Sequence, residues 1–139
     1  MNNIIGRWST SWFSHDPADE VLVFLPDGCG VFEYYWWRLS SYDTFAYEIE
    51  DGNLLIIGDM SFSYDQDQRI MVEEPSPLQF SGKFQIREVS SEESISGCEV
   101  ILELSEPLNN FSPHTSLFGR KAAHKNVSDY KPPTFWEAE

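Results

Sequence analysis

Two stretches decide the fold. They are Val21-Leu22-Val23-Phe24-Leu25-Pro26-Asp27-Gly28 and Phe45-Ala46-Tyr47-Glu48-Ile49-Glu50-Asp51-Gly52-Asn53-Leu54-Leu55-Ile56-Ile57. In each, a short apolar or alternating run ends in Asp-Gly, the pair that supplies the left-handed backbone a tight hairpin turn demands. After the first turn comes Gly30 to Arg38, dense in rings and apolar on both faces, with Glu33 its one charge before Arg38. In the second stretch Phe45, Tyr47 and Ile49 alternate with Ala46, Glu48 and Glu50. That period of two marks a strand with one wet face.

Working outward, Ile4 to Phe13 reads as a first strand and Ser14 to Asp19 as a turn. Regularity weakens over residues 59 to 77, where Phe62 and Tyr64 alternate and Ile70 to Val72 is apolar, so a further hairpin fits there. Phe80, Gly82, Phe84 and Ile86 share one face of a strand from Phe80 to Val89, and Ser90 to Gly97 is a polar loop. Cys98, Val100, Leu102 and Leu104 share the inward face of the next strand, and Thr115 to Gly119 reads as the last. No segment keeps a helical period beyond a turn or two, and no repeat or linker divides the chain. Successive hairpins predict an all-β fold, an antiparallel up-and-down β-barrel of about eight strands. The barrel takes residues 1–125. Residues 126–139 form a C-terminal tail able to dock through Phe135 and Trp136.

With 139 residues, 41% of them hydrophobic and 15% aromatic, the chain can bury one core. Nine basic residues against 23 acids leave a net charge of −14. The excess is concentrated in residues 39 to 106, whereas Arg120, Lys121, Lys125 and Lys131 cluster near the end. Such a field disfavours nucleic acid and anionic membranes and attracts a basic protein. Solubility alone explains it equally well. Cys29 and Cys98 allow one bridge without requiring it, and neither has metal-type spacing. The chain opens without the basic start and apolar core of a signal peptide, and no apolar run approaches the ~20 residues of a membrane span. These features predict a cytoplasmic protein with reduced thiols.

Gly6-Arg7-Trp8, then Phe24-x-x-Asp27-Gly28-x-Gly30, then Phe45-x-Tyr47-x-Ile49-x-x-Gly52-x-Leu54-x-Ile56 resemble the lipocalin-like domains of the calycin group, small up-and-down barrels, many of them bacterial. The likeness rests on motif in the first half and on strand rhythm in the second. It implies that Trp8, after Gly6, plugs the barrel floor beneath a basic side chain from Arg120 or Lys121. It also implies a small apolar molecule inside the barrel, with Tyr34, Trp36, Phe45, Tyr47 and Phe84 as cavity-lining candidates. The chain departs from secreted lipocalins in lacking a signal peptide and a clear disulfide pair.

Related small barrels hold haem through one late histidine, which singles out His114 and His124, but the other marks of those barrels are missing and no cofactor is expected. With His15 they form no zinc-type spacing. Asp59, Asp65, Asp67, Glu73 and Glu74 are oxygen-rich but lack the EF-hand pattern, and read as a solvated acidic loop. No nucleophile motif or P-loop is present. Glu33 is the one candidate for acid–base chemistry, against the commoner reading of a carboxylate pointing outward between rings, and no enzyme is expected. Phe32, Tyr34 and Trp36 fall on one face of their strand, and Val31, Glu33, Tyr35 and Trp37 on the other. Only one set can line the interior; the other meets solvent, the tail or a partner. Two functions follow, the first preferred because the resemblance implies a cavity and the second its alternative. One is a lipocalin-like protein binding a small apolar ligand. The other is an acidic module that binds or neutralises a basic protein, similar in charge and size to bacterial immunity proteins.

Overall fold

The computed structural model of the chain describes residues 3–13, 18–36, 38–65, 67–89, 97–108, 116–121 and 126–131. The strands are β1 (Gly6–Ser9), β2 (Ala18–Phe24), β3 (Cys29–Trp36), β4 (Arg38–Glu50), β5 (Asn53–Asp65), β6 (Ile70–Pro75), β7 (Gln79–Glu88), β8 (Val100–Leu104) and β9 (Leu117–Arg120). A single 3-10 turn, Thr10–Trp12, follows β1; its start is capped by Ser9, whose Oγ accepts the Ser11 N–H at 3.0 Å. Every pairing is antiparallel. The neighbours run β4-β3-β2-β1-β9-β8-β7-β5, and β4 also pairs with β5, so eight strands close a barrel.

The two Asp-Gly turns form as their residues dictate. Gly28 takes φ +88° and the Cys29 N–H bonds to Asp27 Oδ1 at 3.0 Å, turning β2 into β3. Asp51 and Gly52 both take positive φ, 52° and 78°, the two left-handed residues of a type I′ turn between β4 and β5.

The region of weak regularity is strand after all. β4 begins at Arg38, well before the clean alternation, and β5 runs through Gly58 to Asp65. β6 and β7 lie end to end along β5: β6 pairs with Met60–Asp65 and β7 with Asn53–Ile57. Backbone bonds from Ser76 to the Asp59 carbonyl (3.1 Å) and from Gly58 to the Leu78 carbonyl (2.7 Å) carry the ladder across the break. Pro77, which has no N–H to give, is the extra residue of a bulge there. β6 and β7 are therefore one bent strand of the eight-stranded ring. A second irregularity, between Asp43 and Phe45, sits beside it on β4–β5. Asp43 ties the bend by accepting hydroxyl bonds from Ser61 (3.1 Å) and from Ser76.

The inward rows of the strands form one cluster. Trp8, Leu22, Phe24, Phe32, Phe45, Leu54, Ile56, Phe80, Leu102 and Phe118 are buried against one another, with Tyr47, Leu78, Phe84 and Ile86 packed on them. Phe24 meets Phe45 and Tyr47 edge-on, at 5.6 and 5.0 Å between centroids, the geometry ring quadrupoles favour. Phe45 lies so close to β3 that Gly30 is obligatory: a Cβ there would come within 2.4 Å of both the ring and the Val23 carbonyl. Gly30→Ala is expected to cost about 1–3 kcal/mol by overpacking. Gly52→Ala, with open space around it, is expected to cost about 1 kcal/mol through backbone conformation alone. Urea-unfolding midpoints of the two variants check this order.

Candidate functional site

Three regions bear on function: the closed end of the barrel, its inward rings, and the outer face of β2 and β3.

At the closed end β1 and β9 meet through one register pair, Ser9 with Gly119. Trp8 and Arg120 project inward on either side of this seam. The Arg120 guanidinium lies over the Trp8 ring, 4.3 Å from its centroid, and only 1% of Arg120 is exposed. Its Nη1 donates to the Ile5 carbonyl at 2.5 Å, while the indole N–H donates to the Ile4 carbonyl at 2.8 Å. The Arg120 Nε–H finds no hydrogen-bond partner among the described residues. Burial pulls the guanidinium pKa down from its ordinary value, and the ring face offsets part of that desolvation. Lys121 is exposed, so the basic partner of Trp8 is Arg120.

The structure separates the five cavity candidates. Phe45 is buried in the core cluster, and Tyr47 and Phe84 pack against it. Tyr47 also spends its hydroxyl on the Leu25 carbonyl, at 2.5 Å. Tyr34 is half-buried nearer the other end, on the row that pairs it with Glu20 and Ser41. Trp36, at the end of β3 opposite Arg38, is 51% exposed. Three of the five are thus brought together as packing, and two stand apart from them.

The second face of the aromatic strand is buried at Val31 and Glu33. Val21, Val23, Val31 and Glu33 form adjacent cross-strand partners on the side away from the core, and all four are buried. Glu33, 3% exposed, accepts the Tyr35 hydroxyl at 2.9 Å through one oxygen and the Tyr130 hydroxyl at 2.5 Å through the other. Tyr130 belongs to the segment after the barrel, so the tail is anchored to β3 by a hydrogen bond to a buried carboxylate. Burial first, and then the Glu33 charge and hydrogen bond, push both tyrosine pKa values up; Arg7 opposes this weakly. Hydroxyls held neutral in this way are donors, and the carboxylate is their shared acceptor.

Cys29 is exposed and Cys98 buried, and no disulfide joins them. Asp59 and Asp65 lie on β5 and Glu73 and Glu74 on β6, so what read as an acidic loop is mostly strand. Among the described residues no group of three or more His, Cys, Asp or Glu is placed to hold a metal ion, and no helix is long and apolar enough to cross a membrane. His15, His114, His124, Trp37, Phe135 and Trp136 lie outside the described residues. Two residues escaped the sequence reading. Glu20 is buried on the inward row of β2, a position the alternation Glu20, Leu22, Phe24 does encode. Tyr130 sits in a segment with no periodicity to flag it.

The chain was compared with protein-family models, with curated proteins and with solved structures, and nothing matches in any of the three.

Tyr130→Phe is expected to leave one Glu33 oxygen without its donor and to cost about 1–3 kcal/mol at neutral pH. Both tyrosines have folded pKa values above the ordinary 10.0. Their stabilisation is complete below that pH. It is lost as pH rises beyond it, because the unfolded chain releases the protons first. Thermal melts across alkaline pH should show a falling midpoint, and a shallower fall in Tyr130→Phe.

Proposed function

We propose that this protein is a non-enzymatic binding module that captures a basic protein partner on its acidic outer surface. The observation that supports this reading is that three of the five rings expected to line a cavity pack in or against the buried core. Phe45, Tyr47 and Phe84, the side chains best suited to line an apolar cavity, pack on Phe24, Phe80 and their neighbours. With the interior serving stability, the property left for recognition is the field of a chain with net charge −14, which speeds encounter with a cationic partner and selects against anionic ones. Neutralisation of a basic toxin, as by an immunity protein, is one use of such a module.

The Trp8–Arg120 stack supports placing the barrel with the lipocalin-like domains of the calycin group, since it is the floor that the resemblance implies. A small apolar ligand is the second reading, favoured by the half-buried Tyr34 and exposed Trp36 at the end of the barrel away from that floor.

Two measurements separate the readings. Partners recovered by pull-down and then purified should be basic proteins whose affinity falls on the order of tenfold or more between low and high salt, as surface charge pairs are screened; a salt-insensitive partner contradicts the proposal. Titration with a neutral naphthylamine fluorophore should show no saturable binding; a saturable site would favour the apolar-ligand reading.

A further inference from the structure

We propose that the basic partner binds by β-augmentation, adding an extended strand to the open edge of β6. This rests on the basic-partner reading and names the surface that serves it.

The edge is a product of the bend. β7 pairs with β8 through Phe84–Glu88, and Ser105 holds on at Lys83 through two bonds, 2.9 and 3.1 Å. Beyond that point, among the described residues, β6 has a ladder partner on one side only, β5. Its residues are open to solvent: Ile70 is 49% and Met71 48% exposed, Glu73, Glu74 and Pro75 are exposed, and Val72 is half-buried.

The hydrogen-bond phase decides which backbone groups the edge offers. The Ser76 N–H bonds toward β5, to the Asp59 carbonyl. Directly opposed residues of an antiparallel ladder alternate between bonded and non-bonded pairs. Counting back from Ser76, Glu74, Val72 and Ile70 turn their N–H and C=O toward Ser61, Ser63 and Asp65. Met71 and Glu73 turn theirs to the open side, ready for an incoming strand.

The side chains select the occupant. An added strand would lie beside Met71 and Glu73 on one face and beside Ile70, Val72 and Glu74 on the other. Each face thus pairs apolar residues with one carboxylate, and the two carboxylates are consecutive. The complement is an extended segment with two consecutive basic residues followed by apolar or β-branched ones. Asp65 and Asp67 at the β5–β6 turn extend the same field. A second copy of this chain, paired edge to edge through β6, is the competing occupant, and sedimentation distinguishes it.

The test uses the full chain and a synthetic peptide of two arginines followed by alternating valine and threonine, with a peptide carrying two glutamates in place of the arginines as control. Binding is read by calorimetry and located by amide hydrogen exchange. The expected result is saturable binding of the arginine peptide, new protection at the Met71 and Glu73 amides, and no binding of the control. Met71→Pro removes an outward N–H while leaving the β5 ladder intact, and should abolish binding with the thermal midpoint largely kept. Glu73→Lys with Glu74→Lys should abolish it independently. Binding that survives Met71→Pro, or protection elsewhere, overturns the edge site yet leaves the basic-partner reading standing. Absence of peptide binding, or a dimer in sedimentation whose β6 amides are protected without peptide, overturns the proposal.

Discussion

A guanidinium packed over an indole sits at the seam where this barrel closes. β1 and β9 are short and share one register pair, too little ladder to close a ring against the twist of eight strands. Trp8 and Arg120 lie on either side of that seam, and their stack, with the bonds to the Ile4 and Ile5 carbonyls, crosses it. A buried cation is tolerated only where geometry offsets its desolvation, and here the ring face and a backbone carbonyl do so. Closure in turn removes the two free edges that an open meander would leave at its first and last strands.

A closed ring of eight strands has room for its own side chains or for one small ligand, and in this chain aromatic rings pack into the buried core. The aromatic content that suggests a ligand site is therefore divided between two structural uses. Phe24, Phe45 and Phe80 serve the interior, while Glu33 and Tyr35 on the reverse of β3 receive the tail through Tyr130. Over Val21–Phe24 and Val31–Glu33, β2 and β3 are buried on both faces. Asp43, Asp59, Asp65, Asp67, Glu73 and Glu74 lie on the arm where β4, β5 and β6 run beyond the β7–β8 ladder.

Much of the fold was legible because its signals are local. The Asp-Gly turns carry their own backbone preference, and the alternation from Phe45 to Glu50 needs no partner to be recognised. The long β5 was not legible, because Gly58, Asp59 and Pro77 break the pattern where neighbouring strands bulge together, a coincidence visible only once the pairing is known. The site was less legible than the fold. Trp36 shares parity with Phe32, yet the bulge after Tyr34 and its place at the strand end leave it in solvent. The role of Glu33 depends on Tyr130, 97 residues away, and no spacing rule links them.

If the barrel's interior belongs to its own side chains, recognition is left to the surface. Diffraction from crystals held under xenon tests it most directly, since xenon enters dry apolar cavities. No xenon is expected inside the ring bounded by Phe24, Phe45 and Phe80. A well-occupied xenon atom among those rings would contradict it.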